Sequence, residues 1–125
     1  MIILKDFPRI ETERLILSEL KEEDLPLAIE YLQDKEFFEY ISSIPRPYGE
    51  KEADFWLKTT REAFESKKGF TFAIRDKEEK IIGAIGIHDE GSDKAEMGYW
   101  LAKIFWGKGY VTEAAKAIVE FGFNE

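Results

Sequence analysis

Three runs rich in β-branched and aromatic residues crowd the second half of this chain: "FTFAIRD" (70–76), "IIGAIGIHD" (81–89) and "AEMGYWL" (95–101). Only "KEEK" and "EGSDK" separate them, so they read as the two hairpins of an antiparallel meander. A sheet of this kind needs helices to cover it, and the flanking segments supply them. "ERLILSEL" (13–20) reads as an earlier strand, and "KEEDLPLAIEYLQ" (21–33) as a helix with acids at its start and Pro26 tolerated there. "DKEFFEYI" (34–41) suggests a second short helix, and "SSIPRPYGE" (42–50) breaks regular structure. From Lys51 to Glu65, Ala53, Trp56, Leu57, Thr60 and Phe64 mark one face of a longer helix. After the meander, Thr112 to Phe123 carries Ala114, Ala115, Ile118, Val119 and Phe121 on its apolar side. The order is strand, helices, three strands, helix: an α+β domain over residues 1–125 with a mostly antiparallel sheet.

Composition narrows the function classes. With 26 acids against 18 bases the net charge is -8, which disfavours a nucleic-acid backbone and suits a basic partner. There is no cysteine, so disulfides, zinc–thiolate sites and a thiol nucleophile are excluded. The N-terminal "MIILKDFPRI" is too short and too soon charged for a signal peptide, and no apolar run approaches a membrane span. The expected setting is cytoplasmic, without a membrane partner and without a metal.

Between the meander and the last helix stands "FWGKGYV" (105–111), with glycines at 107 and 109, read as directly following a strand and directly preceding a helix. The first N–H groups of a helix have no internal acceptor, and the macrodipole adds partial positive charge there. Two glycines let such amides converge without Cβ atoms in the way, which makes a seat for phosphate or diphosphate, with Lys108 at its edge. The same pair also serves an ordinary turn that needs positive φ, and spacing alone does not separate the two. Tyr110 after Gly109 breaks the P-loop pattern, and an antiparallel meander is not the βαβ unit of a dinucleotide fold.

The motifs taken together resemble the GNAT superfamily of acetyl-coenzyme A-dependent N-acetyltransferases, in the branch that acetylates alanine or serine N-termini of ribosomal proteins. The likeness is carried, in order, by "TERLIL" (12–17), "EEDL" (22–25), "FAI" (72–74), "IIGAIGI" (81–87), "AEMGYWL" (95–101) and "FWGKGYVTEA" (105–114). The resemblance implies the acyl-CoA N-acyltransferase fold and a diphosphate site of pattern [QR]-x-x-G-x-[GA]. Its slots fall here on Trp106, Gly109 and Val111, where Trp106 stands for the usual Arg or Gln and Val111 is bulkier than the usual small residue. The implied cofactor-binding residues are Trp100, Leu101, Trp106, Gly107, Lys108, Gly109, Tyr110, Val111 and Thr112. By the same resemblance the pantetheine arm lies along the end of strand 95–101, using backbone groups of Trp100 and Leu101, and an N–H near Leu101 donates to the acyl oxygen. The amine then attacks the thioester directly in a ternary complex.

Glu96 is the candidate general base, with an exposed or paired strand carboxylate as its plain structural reading. His88, the only histidine, has no recognisable orienting partner and reads as structural or solvated. Phe37, Phe38 and Tyr40 read first as core and second as a pocket wall, while Glu22–Asp24 and Glu78–Glu79 read as a solvated helix start and a hairpin turn. Family members continue past the position where this chain stops, so the expectation is the N-terminal part of the fold, ending with the central helix. Two functions follow: an acetyltransferase acting on a protein N-terminus or small amine, or a catalytically inactive coenzyme A-binding or assembly module. In the second, another chain, a homodimer partner included, fills the edge of strand 95–101.

Overall fold

The computed structural model describes residues 7–32, 49–66, 68–89 and 95–124, with the side chains of 88, 89, 95–97 and 122–124 outside the description. Five strands form one antiparallel sheet in chain order: β1 (Ile10–Glu11), β2 (Ile16–Glu19), β3 (Gly69–Arg75), β4 (Ile81–Asp89) and β5 (Ala95–Leu101). Helices α1 (Leu25–Tyr31), α2 (Glu50–Glu65) and α3 (Tyr110–Asn124) cover it. The meander read from the sequence is β3–β4–β5. The two-residue β1 was not expected, because so short a strand carries no period to read. The short helix expected over 34–41 and the breaker stretch after it lie outside the described residues, apart from Gly49 and Glu50.

Side chains alternate across the sheet and divide the core in two. Ala73, Ala84 and Trp100 face Leu25 and Ala28 of α1 and Ala53 and Leu57 of α2. Phe72, Ile74, Ile85 and Leu101 face Ala114 and Ile118 of α3, together with Leu15 and Leu17. Ile81 and Ile82 belong to opposite faces, and the register between β3 and β4 shifts at Ile74/Arg75, so β4 carries one extra residue there. Next to this bulge β5 approaches so closely that a Cβ on Gly83 would lie 2.4 Å from the Trp100 carbonyl oxygen. Only glycine fits.

The acids before α1 correct the sequence reading. Glu22–Asp24 form a 3-10 turn rather than helix, and Asp24 is buried instead of solvated. Its carboxylate takes both Nη groups of buried Arg75, while Arg75 Nε donates to Ser18 Oγ at 2.8 Å and Nη2 also to the Glu19 carbonyl at 2.8 Å. Every arm of the guanidinium fork is therefore used, which is what makes a buried charge tolerable. The pair ties the start of α1 to β2 and β3. Glu78 and Glu79 do sit in an exposed hairpin turn, where the Asp76 carboxylate accepts the N–H groups of Glu78 and Lys80 at 2.9 and 3.0 Å.

Candidate functional site

The glycine turn does not follow β5 directly, as the sequence suggested. A 3-10 turn, Lys103–Phe105, intervenes and swings the chain so that Trp106 folds back on the strand end. The Trp106 indole Nε1–H donates to the Leu101 carbonyl at 2.7 Å. Gly107 and Gly109 both have left-handed φ, 78° and 79°. Glycine adopts that conformation at little cost, whereas other residues pay about 1–2 kcal/mol. Alternating signs of φ turn successive amides toward one point, the geometry of an anion-binding nest.

Those amides are uncommitted. Among the described residues, the N–H groups from Gly107 through Thr112 donate to no backbone or side-chain acceptor, and the first bond into α3 is Glu113 N–H to the Gly109 carbonyl at 3.0 Å. The positive end of the α3 dipole adds to them. They border a cavity of about 440 Å³ lined by Trp100, Leu101, Trp106, Gly107, Gly109, Tyr110, Val111 and Thr112, with Tyr99 and Phe105 completing the wall. Of the cofactor-binding residues inferred from sequence, Lys108 alone is not part of that lining. Its backbone carbonyl turns away to accept from Arg14 Nη1 at 2.9 Å.

The strand edge refines the sequence reading. Ala102 N–H donates to the Ile82 carbonyl at 2.9 Å, and Gly83 pairs with Leu101 and Ala84 with Trp100. Main-chain groups alternate along an antiparallel ladder, so those of Trp100 point inward to Ala84, and those of Tyr99 and Leu101 point to the outer edge of β5. Trp100 still lines the cavity, but its main-chain groups are taken by β4, and its ring packs beside Tyr31 and Trp56. Leu101 presents an outward N–H beside the glycine turn, its carbonyl being taken by Trp106.

Behind the turn is a cluster that sequence reading passed over. Glu113, in the first turn of α3, receives the Thr12 hydroxyl, the Arg14 backbone N–H at 2.9 Å and Arg14 Nε at 2.6 Å. The Arg14 guanidinium carbon also lies 4.6 Å from the centre of the Tyr110 ring, a cation–π contact. Burial works to raise the Glu113 pKa, but the hydrogen bonds from Thr12 and Arg14 together outweigh it and hold the carboxyl below its ordinary value. Thr12 and Arg14 stand in "TERLIL", which carried the family likeness without a role. Their partner is about a hundred residues away, and no local pattern announces the contact.

Glu96 lies opposite His88 in the β4–β5 register, with both side chains outside the described residues. Phe37, Phe38 and Tyr40 lie outside them altogether. Among the described residues, no group of His, Cys, Asp and Glu is placed to hold a metal, and no helix is long and apolar enough to cross a membrane.

A nest of free amides at a helix start, beside the open end of an antiparallel strand, fits a diphosphate joined to an extended arm. The sequence pattern of the acetyltransferase (GNAT) domain matches residues 14–125. The chain belongs to that family. This GNAT domain is 29% identical over 116 residues to the uncharacterized N-acetyltransferase p20 of Bacillus licheniformis, covering 90% of this chain and 65% of that protein. Its fold is similar to that of RimL, a ribosomal L7/L12 α-N-protein acetyltransferase, with a TM-score of 0.76 at 16% identity over 92% of this chain and 64% of that one. It is similar too to the microcin C7 self-immunity acetyltransferase MccE, whose structure holds acetyl-CoA and AMP, with a TM-score of 0.73 at 19% identity over 87% and 62% of the two chains. The chain therefore spans a little under two thirds of the length of these relatives. The five-stranded antiparallel sheet flanked by helices is the acyl-CoA N-acyltransferase fold.

Proposed function

We propose that this chain builds the donor side of an acetyl-CoA-dependent N-acetyltransferase, with a protein N-terminal α-amino group as the acceptor and a cytoplasmic setting. The observation that carries this reading is the run of amides from Gly107 to Thr112, uncommitted among the described residues and opened by two left-handed glycines, whose residues other than Lys108 line a cavity of about 440 Å³. A diphosphate accepts from those amides, charge-assisted bonds that are about twice as strong as neutral ones. The cofactor supplies the acetyl group as an activated thioester.

The residues of the chain then have separable tasks. Trp100, Trp106 and the outward edge at Tyr99 and Leu101 hold the arm extended, so the acyl carbon is presented at one place. The outward Leu101 N–H sits where negative charge develops on the acyl oxygen. An acceptor nitrogen forms its bond to the acyl carbon as the carbon–sulfur bond breaks; the amine loses a proton, and the departing thiolate gains one. An α-amino group has a pKa of about 7.7–8.0 and is already partly neutral, so Glu96 need supply only weak basicity, directly or through water. The net charge of -8 favours a basic acceptor chain.

Coenzyme A titrated into the purified chain should raise its melting temperature, by the equivalent of about 2.7 kcal/mol at a hundredfold excess over Kd. Gly109→Trp should abolish the rise. A wild-type chain that shows no rise refutes the donor-site reading. Transfer to peptides beginning with serine or alanine, set against small amines, tests the acceptor class. The rival reading, an inactive coenzyme A-binding or assembly module, draws on the outer edge of β5, which is unpaired among the described residues. It calls for coenzyme A binding without transfer and for a second copy paired along β5, and a mass measurement in solution detects that copy.

A further inference from the structure

The glycine turn that frames the cavity is held from behind by a residue at the other end of the chain. We propose that Arg14 is a positioning residue for the donor diphosphate: its bond to the Lys108 carbonyl aims the Gly109 N–H into the cavity. The inference rests on the donor-site reading and deepens it.

A trans peptide carries its C=O and N–H on opposite sides. Arg14 Nη1 holds the Lys108 carbonyl at 2.9 Å, and Arg14 is not part of the cavity lining, whereas Gly109 is. The N–H of that same peptide, which belongs to Gly109, therefore faces the cavity. With glycine on one side, this peptide is free to rotate between two orientations at little cost, so something outside it must choose. Arg14 is well placed to do so because it is itself fixed. Its Nε bonds Glu113 Oε1 at 2.6 Å, its backbone N–H bonds Glu113 Oε2 at 2.9 Å, and its guanidinium lies over the Tyr110 ring. Thr12 in turn secures Glu113 through its hydroxyl. The contact needs a guanidinium, whose Nε and Nη1 point in two set directions at once; a lysine ammonium keeps the charge but cannot span both Glu113 and the Lys108 carbonyl in that geometry. A missing Cβ at Gly109 matters less than its φ here, since a Cβ would sit at an ordinary 3.5 Å from Arg14 Nη2.

The test compares coenzyme A with pantetheine, which lacks the diphosphate, by calorimetric titration of the full chain. Arg14→Lys should weaken coenzyme A binding about tenfold, the worth of one charge-assisted bond, and leave pantetheine binding unchanged. A merely structural role would weaken both ligands alike, and that result overturns the proposal, as does coenzyme A binding at wild-type strength. A second measurement needs no variant: in the wild-type chain the Gly109 amide resonance should move downfield with coenzyme A and stay put with pantetheine. A Gly109 amide that ignores coenzyme A sinks the proposal even if Arg14→Lys fails to fold. A wild-type chain that binds no coenzyme A fails at the earlier step and refutes the donor-site reading itself, whereas binding that is indifferent to Arg14→Lys refutes only the role of Arg14.

Discussion

Gly83→Ala places a methyl group where β5 presses hardest on β4. The new Cβ would stand 2.4 Å from the Trp100 carbonyl oxygen, 3.0 Å from Leu101 Cα and 3.1 Å from Leu101 Cδ1, while ordinary contact begins near 3.4 Å. Two of these neighbours are backbone atoms, so no side chain can rotate aside. The strands must part by about 1 Å at the end of β5, an overpacking change that typically costs about 1–3 kcal/mol. At a central ~2 kcal/mol, and roughly 4 °C per kcal/mol for a chain of this length, the melting temperature should fall by roughly 8 °C. The same displacement moves the Leu101 N–H relative to the glycine nest, and a shift of about 1 Å can cost ~100-fold in a positioned reaction. Gly98→Ala is the matched control: it lies on β5, is exposed, and its Cβ would meet nothing within 4 Å. That variant should stay within about 0.5 kcal/mol of wild type. Circular dichroism melts and coenzyme A titrations of the two variants provide the comparison. If they melt together, the close approach at Gly83 does not govern the strand end and the reasoning fails.

Three further outcomes follow from the packing. Asp24→Ala leaves the buried Arg75 guanidinium without its carboxylate and should cost about 3–5 kcal/mol by urea denaturation, while Asp24→Leu combined with Arg75→Met should recover much of that loss. Because the folded-state pKa of Glu113 lies below its ordinary 4.5, its contribution is fully present above pH 4.5 and is lost as pH falls through the lower folded value. Glu113→Gln should therefore cost roughly 1 kcal/mol near neutrality and flatten the acid limb of the stability curve; urea midpoints as unequally spaced at pH 3 as at pH 7 would contradict this. Val111→Ala, which trims the cavity wall without touching an amide, should leave coenzyme A binding within about threefold of wild type, and a larger loss by titration would mean that side chains rather than backbone make the seat.

How much could be read beforehand depended on the range of the signal. Strands 69–75, 81–89 and 95–101 and helix 50–65 were legible because period and breakers are local, and the observed bounds differ by no more than a residue or two. The glycine turn was legible as a candidate seat because only glycine suits positive φ at both positions. Asp24 was misread as solvated, since nothing near it in sequence shows that Arg75 arrives on β3 to bury it. The turn at Lys103–Phe105 escaped for a different reason: three residues held by two backbone bonds leave no hydrophobic period.

The meander, the covering helices and the glycine spacing are written locally, because period, turn chemistry and allowed φ are properties of neighbouring residues. Long-range packing sets which way the Gly109 amide and the end of β5 face. That depends on Arg14 reaching the Lys108 carbonyl across most of the chain, and on Gly83 letting β5 close against β4. Both are meetings of residues distant in sequence, settled when the sheet and α3 pack.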